Sequence, residues 1–375
     1  MQAIAITNPG IESIAEKEIV ELIKPKITGT EESVVFFRPK ELIDLCVLCY
    51  KAQSLSKVML LKDMITFRDK NEIFCAAKKL DFSDFIKKGL KFKVKCMHTG
   101  EHDFNSIEIE EGIGANIKGD VDLDNPDVII FVYINKNRCY IGIDFSGFDM
   151  SKRQYRVFNL KESLKATVAY SLLRIADYRK KDFLLDPFCG SGVIPIEAAL
   201  FGSDFPVNYF TKNNFLFLKF DCFRNIGFDK FFEKIDKKIV KKNSLKIYGY
   251  ESMLGYVKAS HKNAKIAGIN KSINIRRVDL DWLDTKVDKT KVDKIVTTPP
   301  QLTERNSKVI EKLYKEFFYQ AEFVLKKNGI IVVVSETEET KKMIEKHASQ
   351  FKFKITKEMK IMQGKKQISA LVIKR

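Results

Sequence analysis

Residues 184–200 read LLDPFCGSGVIPIEAAL. An apolar strand runs into an acidic residue, then a turn with two glycines, then an apolar helix. No other stretch of the chain restricts the fold as much. Glycine is needed where backbone turns sharply or comes close to a ligand. A carboxylate at the strand end, above a glycine turn that opens a helix, makes the nucleoside-binding corner of a doubly wound sheet. An ordinary strand–turn–helix is the alternative, and the order Asp-Pro-Phe-Cys-Gly-Ser-Gly favours the corner over it.

The spacing also separates ligand classes. It is Asp-x-x-x-Gly-x-Gly, through Asp186, Gly190 and Gly192, and not Gly-x-Gly-x-x-Gly. No pyrophosphate cradle is built, so S-adenosylmethionine is favoured over a dinucleotide, and an NAD(P) oxidoreductase is disfavoured.

Strand and helix patterns alternate on both sides of this motif. After a helix over 163–175, strands are expected at 183–186, 245–251, 273–277, 294–298 and 330–335, with helices over 194–200, 254–267, 307–327 and 340–347. The helix over 307–327 is expected to close at Asn328-Gly329. Final strands at 351–361 and 367–374 meet over Gly364, which predicts an antiparallel edge. Repeated βα units predict an α/β parallel sheet covered on both faces, the shape of a Rossmann-like class I methyltransferase domain. The first part reads differently. Short strands at 2–6, 33–37 and 57–67 alternate with helices over 11–23 and 41–48, as in a small α+β layer. Next come a helix over 71–80, a strand at 91–96, a helix over 104–117 and a hairpin of 128–134 with 139–144.

Charge points to a polyanion. The chain of 375 residues has formal net charge +17. Residues 1–150 hold 20 Lys+Arg against 24 Asp+Glu, and residues 151–375 hold 46 against 25. The surplus lies wholly in the second part, which a generally lysine- and glutamate-rich surface does not explain. No apolar run has membrane-spanning length, and MQAIAITNPG lacks a signal-peptide layout, so no membrane partner and a cytoplasmic location are expected. A monomer is the expected state.

Three further stretches carry weaker signals. Residues 203–246 interrupt the alternation with ten aromatics and ten Lys+Arg. Such interleaving can bind nucleic acid; the favoured reading is a helical layer capping the sheet for most of the rings, with a phosphate role for some lysines. SKRQYRVFNL, residues 151–160, reads as a basic connector whose charges are either solvated or on RNA phosphate. Cys46 and Cys49 form C-x-x-C inside an apolar helical pattern with no second pair at metal spacing, so a core helix and no metal are expected. Cys96, Cys139 and Cys222 read as buried thiols of a reducing compartment.

The ligand of a doubly wound sheet lies over the carboxyl ends of its strands. The second parallel strand ends IYGYE, placing Glu251 where a carboxylate can accept from two ribose hydroxyls. The third leads to Asp279, which can accept from the adenine amine, with Leu280 against the ring and Asp281 and Asp284 as competitors. The fourth ends KIVTTPPQ. Two prolines hold the backbone and leave carbonyls without ladder partners, able to accept from an exocyclic amine.

The chain resembles the THUMP-domain RNA methyltransferases, among them the tRNA guanine-N2-methyltransferases of the TrmN type. YIGIDFSGFDMSKRQYR, ESLKATVAYSLLRIA, LLDPFCGSGVIPIEAAL and IYGYESMLGYVKASHKNAKIAGI carry the resemblance, which covers nearly the whole chain. It implies a ferredoxin-like domain (1–67), a THUMP domain gripping the tRNA 3′ end (68–150), a linker (151–162) and a catalytic domain (163–375, insertion about 203–246). It implies a cofactor site of Asp186, Pro187, Cys189, Gly190, Ser191, Gly192, Glu251 and Asp279, and methylation of a tRNA guanine amine, at position 6 with position 10 second. The family pattern at the catalytic loop is Asn or Asp, Pro, Pro, aromatic; this chain has Thr298, Pro299, Pro300 and Gln301. Loss of one positioned acceptor costs about 3 kcal/mol, roughly a hundredfold in rate. A slower enzyme, another target atom or a non-catalytic tRNA-binding protein are the alternatives this leaves. Transfer to an amine can proceed by in-line positioning; no Cys pair suggests the covalent route used for pyrimidine C5, and Cys189 reads as part of the cofactor turn, not opposite the methyl.

Overall fold

A computed structural model describes residues 1–158, 163–240 and 245–375. The chain forms two compact units. The last four residues of the expected linker, 159–162, and residues 241–244 of the expected insertion lie outside the described residues.

The first unit comprises Met1–Thr7, Ala15–Met150 and Asn208–Lys237. Its strands are β1 (Ala3–Thr7), β2 (Lys26–Glu31), β3 (Val34–Arg38), β4 (Leu55–Thr66), β5 (Lys91–Thr99), β6 (Asp120–Val121), β7 (Val128–Asn135) and β8 (Arg138–Asp144). They form one sheet in the order β2-β3-β1-β4-β8-β7-β5-β6. Strand β4 pairs antiparallel with β1 and with β8, so the two expected N-terminal regions share a sheet. The β7–β8 hairpin turns over Lys136 and Asn137, with Lys136 at φ +54°, the left-handed conformation a tight hairpin needs.

The aromatic cap exists, but on this sheet and not on the parallel one. Phe215, Phe217, Phe220, Phe223 and Phe232 are buried in the core that also holds Phe145, Leu45 and Ile141. The Phe220 ring lies 5.2 Å from Phe145, and Phe232 lies 4.8 Å from Tyr50, both edge-on. These rings are core, and none is free to stack on a base. Lys212, Lys219 and Lys237 are paired with Asp236, Asp127 and Glu233. Cys46 and Cys49 are buried in helix Ile43–Lys51, as expected. Cys96 and Cys139 are buried, whereas Cys222 is exposed, because the short turn Asp221–Phe223 spends its inward position on Phe223.

The second unit comprises Asn8–Ile14, Ser151–Val207 and Lys238–Arg375. Its strands are β9 (Leu184–Asp186), β10 (Ile247–Glu251), β11 (Asn274–Arg277), β12 (Val292–Thr297), β13 (Leu325–Ser335), β14 (Lys354–Gln363) and β15 (Lys366–Lys374). Their order is β11-β10-β9-β12-β13-β15-β14. The first five are parallel, and β15 is antiparallel between β13 and β14. Side chains alternate across a strand. Leu184, Val296 and Val332 therefore enter the core under helices Ala166–Ile175 and Val193–Gly202, while Leu185, Ile295 and Val333 enter the opposite core with helix Ser307–Val324. A parallel sheet covered on both faces reads as continuous apolar runs, as these strands do. One boundary differs from expectation. The helix ends at Val324 and β13 begins at Leu325, so Asn328-Gly329 lies inside a bulged strand, where the register jumps from Val292↔Leu325 to Lys294↔Ile330. Among the described residues, no helix is long and apolar enough to cross a membrane.

Candidate active site

Strand β9 delivers Asp186 to the carboxyl edge of the sheet, 1% exposed. The next residues turn at once: Gly190 has φ +51° and Gly192 φ +86°. A Cβ on Gly192 would lie 2.8 Å from Ser260 Cβ, so this position needs glycine both for its dihedral and for its close approach to helix Leu254–Ile266. Pro195 falls in the first turn of helix Val193–Gly202, where its missing N–H costs nothing. The Cys189 N–H donates to Tyr250 O at 2.9 Å and the Gly192 N–H to Cys189 O at 2.7 Å. Buried Asn263 donates to Ser191 O at 3.0 Å and to Phe158 O at 3.1 Å.

Glu251 is half-buried at the end of β10. One carboxylate oxygen accepts from the Gly190 N–H at 3.0 Å, the other from the Met253 N–H at 3.0 Å. The remaining lone pairs are those a ribose could use. Asp279 is exposed and opens the turn Leu280–Trp282, and the preceding Val278 N–H donates to Glu251 O at 3.2 Å. Leu280 packs against the core that holds Val278 and Leu283. Asp281 and Asp284 lie further along, where their backbones bond to Gln320 of helix Ser307–Val324. Pro187 is buried and Phe188 is half-buried, 5.9 Å from Phe317.

The loop of Thr298–Gln301, expected to be catalytic, adjoins this corner through a residue that the sequence reading passed over. Thr297, fully buried, donates to Asp186 Oδ1 at 2.6 Å, and the Phe188 N–H donates to the same oxygen at 3.2 Å. The signal was the strand order, which sets β12 beside β9 with Ile295 opposite Leu185. Burial pushes the Asp186 carboxyl up to about 7 against those two hydrogen bonds, and the Glu251 charge raises it further. Burial and the Asp186 and Glu251 charges push the Cys189 thiol well up, so it stays protonated and is no nucleophile.

The loop corrects two expectations. The proline carbonyls are not free: Pro299 O accepts from Gln301 Nε2 at 2.8 Å and Pro300 O from Tyr314 OH at 3.2 Å. Gln301 is also more than a lost aromatic. Its amide donates to Val334 O at 3.2 Å and accepts from the Glu336 N–H at 2.9 Å, fastening the loop to the end of β13. Thr298 Oγ1 is buried and has no hydrogen-bond partner among the described residues. A buried hydroxyl in that state costs about 1–3 kcal/mol.

The corner fits S-adenosylmethionine by its chemistry. It offers carboxylates to hydroxyls and cations, and the buried Asp186, held partly protonated near neutral pH, gains by facing a positive group.

The UPF0020 model, described as RMKL-like, methyltransferase domain, matches residues 153–368, and the THUMP domain model matches residues 67–144. A tRNA (guanine(6)-N2)-methyltransferase of Methanocaldococcus jannaschii is 31% identical over 373 residues, covering 95% of each chain. One of Archaeoglobus fulgidus is 32% identical over 88% of this chain and 82% of its own. A solved structure of a possible methylase from Clostridium difficile 630 shares the fold, with TM-score 0.84 at 22% identity, covering 100% of this chain and 97% of that one. With a family model over more than half its length and a relative above 30% identity along almost all of it, the chain belongs to the RMKL-like methyltransferases that carry a THUMP domain, the S-adenosylmethionine-dependent tRNA guanine-N2 branch.

Proposed function

We propose that this protein methylates the N2 amine of a tRNA guanosine, at position 6, the position in the names of its M. jannaschii and A. fulgidus relatives. The observation that carries the reading is the Thr297–Asp186 hydrogen bond of 2.6 Å, which joins the cofactor corner to the loop of Thr298, Pro299, Pro300 and Gln301. S-adenosylmethionine supplies an electrophilic methyl when bound. Asp186, Glu251 and Asp279 accept from the cofactor's polar groups, and Pro187, Cys189, Gly190, Ser191, Gly192 and Leu280 shape its surroundings. The carbonyls of Pro299 and Pro300 each keep a second lone pair for an amine hydrogen. Transfer then follows from positioning, and the amine proton leaves to water. The reading places the protein in the cytoplasm with tRNA as its partner. The non-catalytic alternative is disfavoured by an intact glycine turn and a buried carboxylate at its rim, which an RNA clamp does not need.

Incubating the purified protein with an unmodified tRNA transcript and S-adenosylmethionine should yield N2-methylguanosine, mapped by nucleoside mass spectrometry to position 6 and lost when that guanosine is replaced. Product at position 10, or binding without transfer, overturns the assignment.

Gln301 gives a second test. Gln301→Ala removes three hydrogen bonds that hold the loop. At about 1 kcal/mol each, partly recovered by relaxation, the single-turnover rate should fall about tenfold to a hundredfold. Gln301→Glu keeps the shape but turns a carboxylate on two carbonyls, and should lose at least as much. The cofactor dissociation constant should stay within about threefold, because neither variant touches the glycine turn. Equal rates for all three proteins would show that the latch does not position the loop.

A further inference from the structure

Helix Ser307–Val324 begins six residues after Gln301 and is fastened to the catalytic loop twice. Tyr314 donates to Pro300 O at 3.2 Å, and Asn306, just ahead of the helix, donates to Gln301 O at 3.0 Å. Tyr314 is buried beneath the helix. On the outer side Lys308, Lys312, Lys315 and Tyr319 are all exposed. At about 100° per residue their spacing puts them within an arc of about 60°, and the three lysines span about 10 Å along the axis.

This stripe is locally unfavourable. Lysines four and three residues apart repel one another. Lys308 sits in the first turn, where a cation opposes the helix dipole and where the chain places no acidic residue. Carboxylates are within helical reach at Glu311 and Glu316, yet Glu311 pairs with Lys346 and Glu316 accepts from Gln320. Among the described residues, none of the three lysines has a carboxylate within 4.0 Å. Exposed Lys346 and Lys237 do take carboxylate partners, Glu311 and Glu233, whereas Lys258, Lys262 and Lys265 of helix Leu254–Ile266, which carries no acidic residue of its own, take none among the described residues. A single-sign stripe that leaves nearby pairing unused, on the element that anchors the catalytic loop, matches a row of phosphates. Tyr319, 54% exposed, continues it with a ring that can pack on a sugar or base.

We infer that Lys308, Lys312 and Lys315 grip consecutive backbone phosphates of the substrate RNA strand, and that Tyr314 converts that grip into a fixed register at the catalytic loop. The inference rests on the proposed tRNA reaction for its partner, and it adds a surface in the methyltransferase unit to that reading.

The test is tRNA binding followed by fluorescence anisotropy between about 50 and 300 mM salt, where each phosphate contact adds about 0.7–0.9 to the slope of log K against log salt. K308Q/K312Q/K315Q should bind at least about tenfold more weakly near 0.1 M salt, with the slope reduced by about 2. Glutamine keeps helix propensity, so the unit should remain folded; unchanged S-adenosylmethionine affinity verifies this. K308R/K312R/K315R should restore affinity and slope. K354Q/K357Q/K374Q removes the same charge from exposed positions on β14 and β15 and should change the slope by less than about 1. A stripe variant with wild-type slope, or a control variant with an equal loss, overturns the inference. The two readings fail separately. Methyl transfer by the wild type together with normal tRNA binding by the stripe variant sinks the stripe alone. Stripe-dependent binding with no methyl transfer sinks the reaction and leaves the surface standing.

Discussion

Affinity for S-adenosylmethionine should rise as pH climbs from about 5.5 to 7.5, approaching tenfold per unit below 7, and Asp186→Asn should flatten that profile. The buried Asp186 carboxyl is pushed up to about 7, chiefly by desolvation. Only its ionised form attracts a cation, and that form is scarce below pH 7. The groups around it in the same corner are the Glu251 carboxylate, the Thr297 hydroxyl, the Phe188 N–H and the protonated Cys189 thiol, with no cation among the described residues that shift it. Removing the charge should weaken binding about a hundredfold, the order expected for a hydrogen bond to a charged group, and Asp186→Ala should abolish methyl transfer.

Stability should move the opposite way. The folded chain holds this proton up to about pH 7, whereas an exposed aspartate releases it near 3.8. The contribution of Asp186 to stability is therefore full below about pH 4 and is lost as pH rises through 7. A shift of about three units corresponds to about 4 kcal/mol. The carboxamide of Asp186→Asn escapes that loss, although its unpaired NH2 returns about 1–3 kcal/mol. Apo Asp186→Asn should thus melt higher than wild type at pH 8 and lose that advantage at pH 4. Calorimetric titrations and melting curves across this range check both halves. A flat wild-type binding profile, or Asp186→Asn that binds as wild type does, would remove Asp186 from the cofactor site.

The parts of this site that were legible in the sequence are those that local chemistry dictates. Asp186 ends an apolar strand, Gly190 and Gly192 take positive φ, and Glu251 ends the neighbouring strand, where it receives the Gly190 N–H. The parts that were not legible depend on register and long-range packing. Thr297 reaches Asp186 only because β12 lies beside β9, and Asn263 reaches Ser191 from the last turn of helix Leu254–Ile266, where nothing local to the sequence marks its partner. Gln301 read as a missing ring because a side-chain amide gives no sign of which carbonyls it will meet. Fold-level misses have the same origin. Lys26–Glu31 is an edge strand of alternating half-burial with a glycine inside it, too weak a pattern to announce itself. The Phe-rich insertion was placed by its neighbours in the chain, whereas its rings fill the core of the first unit, a choice that local periodicity does not record.

The connector SKRQYR supplies the largest stability effect. The charges of this stretch were expected to face solvent or phosphate, yet Arg153 is buried, and Tyr155 is buried with it. Arg153 Nε donates to Glu197 Oε1 at 3.1 Å and the Tyr155 hydroxyl donates to the same oxygen at 2.8 Å. Glu197 is wholly buried in helix Val193–Gly202, which Gly192 caps. Replacing a buried ion pair with apolar residues can be neutral, but removing one partner strands the other charge and costs about 3–5 kcal/mol. Glu197→Ala should therefore lower the melting temperature by about 10 °C for a unit of this size. Cofactor affinity should fall with it, because the same helix carries the glycine turn. Arg153→Ala should cost nearly as much. Arg153→Met combined with Glu197→Met should cost clearly less than the two single changes summed, because neither charge is then left alone. Urea unfolding of the three variants beside the wild type measures the difference. If the single variants lost less than about 1 kcal/mol, the ordinary range for surface pairs, the pair would carry no buried-charge burden, and the connector would be free of the glycine-turn helix.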